Sequence, residues 1–152
     1  TFHLQDLEMN YATGRHMAQP VFGGAYELED VVGMVRRVYA GRVRFHDGDA
    51  ELAPGVSLHL IGGHTMGLQV VRVATRRGWV VIASDASHFY ANMEQVRPFP
   101  IVYSVADMVE GYGRLRALAD SREHIIPGHD PLVLERYPAP SKALQGIVAR
   151  LD

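Results

Sequence analysis

The chain has 152 residues, with 17 acidic against 15 basic side chains, eight histidines and no cysteine; at this length one domain can bury roughly 70% of its unfolded surface without covalent staples. The lack of cysteine excludes disulfides, a thiol nucleophile and thiolate metal sites, so any metal has to be held by imidazole and carboxylate. A net charge of −2 leaves no basic stripe for a nucleic-acid backbone, and apolar runs such as Trp79 to Ala83 fall far short of the ~20 residues that span a bilayer, so neither nucleic acid nor membrane is expected as a partner.

The opening Thr1-Phe2-His3-Leu4 carries no initiator methionine and no signal-peptide pattern, and reads as the middle of a longer protein. Phe2 to Leu4 reads as a short strand, followed by a helical turn or two from Asp6 to about Ala12. Thr13 to Tyr26, rich in glycine and carrying Pro20, reads as a long loop. From Leu28 to Tyr39, apolar residues recur at three- and four-residue spacing behind Glu29 and Asp30, which predicts a surface helix with one buried face. Arg42 to Leu52 alternates around Asp47-Gly48, the dipeptide of a tight hairpin.

Val56 to Ile61 follows as a strand. The β-branched runs Leu68 to Thr75 and Trp79 to Ser84, joined by Arg76-Arg77-Gly78, predict a second hairpin. Val105 to Leu118 carries an apolar stripe of Met108, Val109, Tyr112, Leu115 and Leu118 and predicts an amphipathic helix. His124 to Ile126 reads as a strand stopped by Pro127, Leu132 to Leu134 as another, and Ser141 to Leu151 as a last helix capped by Ser141. Strands in a block followed by helices predict an α+β fold of layered sheets with helices outside. No repeat and no internal domain boundary is visible.

Three of these strands end in chemistry. Gly62-Gly63-His64-Thr65-Met66-Gly67 lies between two strands, where flanking glycines let the backbone turn sharply and approach a ligand. Taken alone, His64 either reaches a metal or merely bonds a carbonyl. In Ser84-Asp85-Ala86-Ser87-His88, an apolar strand delivers an acid at its edge, where a carboxylate needs partners; alone, Asp85 either meets a cation or caps the turn that follows. Ile125-Ile126-Pro127-Gly128-His129-Asp130-Pro131 projects a histidine from a constrained strand end. Together His, Asp and His make the ligand palette of a borderline metal such as zinc in a cysteine-free site.

Gly63-His64-Thr65-Met66-Gly67, Ser84-Asp85-Ala86 and Pro127-Gly128-His129-Asp130, with the histidine, aspartate and histidine 21 and 44 residues apart, resemble in order and spacing the later metal-binding motifs of the metallo-β-lactamase superfamily. The Asp-Ala-Ser of the second motif and the opening Phe-His-Leu-Gln-Asp-Leu-Glu resemble most the branch of N-acyl-homoserine lactonases. The resemblance covers nearly the whole chain and implies part of an αββα sandwich, mainly its C-terminal half, with residues 1–152 as an incomplete domain. It implies two zinc ions, His64 on the first, Asp85 bridging both and His129 completing the second. The reaction it implies is attack of a metal-activated water on a lactone carbonyl, without a covalent enzyme intermediate, in a cytoplasmic enzyme that degrades quorum signals.

The superfamily's His-x-His-x-Asp-His motif is absent from these residues and is expected just upstream of Thr1. The chain alone is therefore expected to hold little or no zinc, to be inactive, and to self-associate or dimerise through an exposed half-sandwich. Relatives place a tyrosine three residues after the bridging aspartate to help the oxyanion; here His88 stands there and Tyr90 two further on, and both are candidates for that role. Phe22, Phe89, Met93, Phe99 and Tyr103 are candidates to line an apolar substrate pocket, against ordinary packing in the core. Thr65 either orients the His64 loop or caps it; Asp130 either fixes a histidine tautomer or shapes the turn before Pro131. His3, His16, His46, His59 and His124 read as structural or surface residues. Other hydrolases with the same motifs, such as thioesterases of the glyoxalase II type, lactamases and phosphodiesterases, are the alternative reading, as is a half-domain without catalysis.

Overall fold

A computed structural model describes all residues 1–152. β1 (Phe2–Gln5) leads into α1 (Asp6–Thr13), a 3₁₀ turn (Arg15–Ala18), α2 (Pro20–Gly23) and α3 (Leu28–Tyr39). β2 (Val43–His46), β3 (Ala50–Ala53), β4 (Val56–Leu60), β5 (Gln69–Thr75) and β6 (Gly78–Ser84) follow, then α4 (Tyr90–Gln95), α5 (Val105–Leu118), β7 (Ile125–Pro127) and α6 (Leu132–Arg136). β1 and β2 form a two-stranded parallel sheet, and the other strands form a five-stranded sheet in the order β3-β4-β5-β6-β7, antiparallel except for the last pair. No helix is long and apolar enough to cross a membrane.

Alternation along β6 divides the core. Val81 and Ala83 face α4 and α5, where they join Val70, Tyr90, Met93, Phe99, Met108, Tyr112 and Leu115 in the main cluster. Val80 and its neighbour Ile126 turn to the other face, packing with Tyr137, Ala149 and Leu151, while Ile82 on that face stays exposed. α5 starts where the Ser104 hydroxyl accepts the Asp107 N–H, a side-chain N-cap. Arg114 Nη2 donates to both oxygens of Asp49 (2.6 and 2.8 Å) and bolts α5 to the edge of the sheet, and His59 Nδ1–H donates to the same carboxylate at 2.8 Å.

Several expectations are corrected. Asp47-Gly48 does turn the chain, with Gly48 at φ +95°, but β2 and β3 do not pair with each other. The amide of buried Gln5 takes both backbone groups of Gly48 (2.9 Å each), and β2 pairs instead with β1 in the other sheet. Thr13 to Tyr26 is not plain loop, since it contains the 3₁₀ turn and α2, whose first residue is Pro20. Leu132 to Leu134 is helix, not strand, because Asp130 accepts the Leu132 N–H on its side chain and the Val133 N–H on its carbonyl, starting a turn that Pro131 favours. The tail after Ser141 forms only a 3₁₀ turn (Lys142–Leu144); Gly146 then takes φ +75° and the chain doubles back, with Arg150 N–H donating to Pro138. α3 is helical over the expected residues, but its apolar face is only half-buried and Leu28 is exposed.

Candidate metal centre

The three motif loops leave β4, β6 and β7 and meet at one end of the large sheet. Ser84 ends β6 in the left-handed region (φ +47°), a conformation costly for a side-chain-bearing residue, and this swings Asp85 out of the sheet. The β7 loop is fastened to it by Gly128 N–H donating to Ser87 O and His129 N–H donating to His88 O, both at 3.0 Å. Gly128 must be glycine, because a Cβ there would lie 2.8 Å from Ser84 O and 3.2 Å from Asp85 Oδ1.

This packing brings His64, Asp85, His88 and His129 together. His129 Nε2 lies 2.8 Å and His88 Nε2 3.6 Å from Asp85 Oδ1, while His64 Nε2 lies 3.8 Å from Oδ2. His64 is buried and its Nδ1 is 2.7 Å from Ile101 O, which makes Nδ1 the donor and leaves Nε2 with a free lone pair towards Asp85. His64 thus bonds a carbonyl with one ring nitrogen and faces the cluster with the other. The His88 ring stacks on Phe99 at 3.5 Å and 8°. Burial, with help from His129 and His64 and against Asp85, pulls the His88 pKa down, favouring the neutral imidazole.

The donor set fits a divalent metal: one carboxylate with its two oxygens turned to different imidazoles, and no competing cation beside it. Of the other candidates, Phe99 lies against His88 and His64, and Phe89 stands exposed beside His88 with ring centres 6.4 Å apart. Met93 belongs to the main core, and Phe22 packs with His16 and Tyr103 rather than with the histidine cluster. Tyr90 is turned away from the cluster. Its phenol is buried without a hydrogen-bond partner, Arg136 covers its ring at 3.7 Å, and burial drives its pKa up. An oxyanion role for Tyr90 is not supported by this placement. Asp130 bonds Tyr90 N–H and Leu132 N–H and so shapes the turn, not a histidine tautomer.

Sequence reasoning missed Glu8 in α1. Its Oε2 accepts the Thr65 hydroxyl (2.7 Å) and the Gly67 N–H (2.9 Å), and its Oε1 accepts the Tyr26 hydroxyl (2.6 Å). Partners so distant in sequence leave no local signal. Replacing Glu8 by alanine orphans three donors, and about 2 kcal/mol of stability is expected to go with them. Urea unfolding of Glu8→Ala checks this, and an unchanged midpoint would show that the clamp carries no weight.

Comparison with solved structures places this arrangement in a class. No family model matches the sequence, and no curated protein sequence does. An N-acyl homoserine lactone hydrolase with the product N-hexanoyl-L-homoserine bound at its catalytic metal centre is 25% identical over 84% of this chain, with a TM-score of 0.67. A variant of B. thuringiensis AiiA with N-decanoyl-L-homoserine bound at the active site gives the same identity, coverage and TM-score. AidC, a dizinc quorum-quenching lactonase, matches over 85% of the chain at 16% identity and TM-score 0.59, a likeness of fold alone. The chain has, in part, the metallo-β-lactamase fold. Within that class it is similar to the N-acyl-homoserine lactonases, and it spans 46% of the length of the first two of these structures, about half.

Proposed function

We propose that this chain is the incomplete, later part of a metallo-β-lactamase-like domain in a zinc-dependent hydrolase that opens the ring of N-acyl-homoserine lactones. The observation that carries the reading is the Asp85 carboxylate, whose oxygens face imidazoles from two other strand ends. The lactonase neighbours support the substrate class. In the intact protein His64, Asp85 and His129 would hold two zinc ions between them, His64 serving one, His129 the other and Asp85 both. Zinc bound there supplies Lewis acidity and a nucleophilic water at neutral pH.

The chain's own residues do the positioning. Ile101 O fixes the His64 tautomer, and Glu8 holds the loop that carries it. Phe99 sets the plane of His88, and exposed Phe89 offers aromatic surface to an acyl chain. The exposed Leu28 and Ile82 support self-association as part of the same reading.

The intact zinc-loaded protein is expected to release one proton per N-hexanoyl-homoserine lactone opened, followed in a pH-stat. A lactone left untouched while a thioester or a phosphodiester is hydrolysed would move the reading to the glyoxalase II type or to a phosphodiesterase.

A further inference from the structure

Asp85, His88 and His129 present one ligand atom each, all within 4.8 Å of one another. Two donors bound at about 2.0–2.1 Å to one ion stand ~2.9–3.4 Å apart for right-angled to tetrahedral arrangements. The separations of His129 and His88 from Asp85 Oδ1, 2.8 and 3.6 Å, bracket that range. We propose that these three residues form a complete two-histidine, one-carboxylate site that holds a single divalent transition-metal ion within this chain, with His88 as a ligand.

Three features prepare the site. The loops carrying the two histidines are joined backbone to backbone, His129 N–H to His88 O and Gly128 N–H to Ser87 O. Phe99 stacks on His88 and restrains its ring, so little rotamer freedom remains to be lost on binding. His129 lies at the exposed rim, which leaves the remaining coordination positions open to water or substrate, as expected of a three-ligand site. His64 is outside this set, reaching only the far oxygen of Asp85 at 3.8 Å. The site needs no ligand from beyond these residues, in contrast to the expectation that the chain alone holds little or no zinc. It also places His88 on the metal rather than on an oxyanion.

The inference stands apart from the lactonase reading, since a chain that binds one ion and opens no lactone would overturn only that reading. Titration of Co²⁺ into the 152-residue chain, followed by visible absorption and calorimetry, is expected to give one tightly bound ion. Loss of an outer-shell partner typically weakens a metal site ~10–100-fold, so His88→Gln and His129→Gln should each weaken this one by ~100-fold or more, while His64→Gln keeps the first ion's affinity. The loaded wild-type chain provides a readout that needs no variant: two paramagnetically shifted, exchangeable imidazole N–H resonances, both retained in His64→Gln. Failure to bind Co²⁺ would overturn the proposal, as would binding that survives His88→Gln unchanged or two resonances of which one disappears in His64→Gln.

Discussion

Asp85→Asn is expected to be the most damaging substitution at the site, with zinc affinity down by ~100-fold or more, beyond the ~10–100-fold typical of outer-shell losses. Asp85 Oδ1 serves His129 and His88 while Oδ2 faces His64. An amide removes the negative charge and replaces one acceptor oxygen by a donor aimed at an imidazole nitrogen. Asp85→Glu keeps the charge and both oxygens, and crowds mainly the Gly128 side, where the space is already tight. It should therefore retain more metal and, in the intact protein, more lactone opening than Asp85→Asn. Zinc content by elemental analysis and turnover, measured for both variants, decide the matter. Full metal and near-normal turnover in Asp85→Asn would remove this carboxylate from the site.

A large stability effect is expected at Gly63. Its φ of +89° is left-handed, and a Cβ would lie 2.7 Å from Met108 Cα and 2.8 Å from Met108 N, backbone atoms that cannot step aside without moving α5. Strain of about 1–2 kcal/mol for the left-handed residue adds to about 1–3 kcal/mol for overpacking, so Gly63→Ala should lose about 3 kcal/mol. Gly41 is the control: it has φ +66° but nothing within 4 Å of a would-be Cβ, and Gly41→Ala should lose only the backbone share, about 1 kcal/mol. Chemical denaturation compares the two directly. Equal losses would mean that the contact of the His64 loop with α5 is not tight.

The parts legible in the sequence were those with a local signature. α3 and α5 follow from 3.6-residue periodicity, the β5–β6 hairpin from β-branched runs around a glycine, and the three strand-end motifs from residues that are chemically out of place in a strand. What escaped was set by distant partners. Nothing near Asp47-Gly48 announces that Gln5 will occupy the turn's backbone groups and send β2 to another sheet. The apolar Leu132 to Leu134 reads equally as strand or helix until Asp130 is seen to accept the first N–H groups. At the site, the cluster of His64, Asp85 and His129 could be anticipated, but Glu8 and Ile101 O could not, because one acts across 57 residues and the other through its backbone. Tyr90 lies close to Asp85 in sequence, but α4 turns it the other way, under Arg136.

The Gln5 amide also joins the two sheets. Besides Gly48 it donates to Gln69 Oε1 at 3.0 Å, and Gln69 Nε2 donates to His3 O. β1 runs without a break into α1, which carries Glu8, and Glu8 grips the His64 loop. Opening of the small parallel sheet is therefore thermodynamically linked to the order of that loop. Linkage is reciprocal: an ion that engages His64 raises the free energy of opening at the start of the chain, and whatever pairs with β1 or steadies α1 tightens the hold on that ion by the same factor. Residues that touch no ion would thus set part of its affinity, through the opening equilibrium of a segment at the start of the chain.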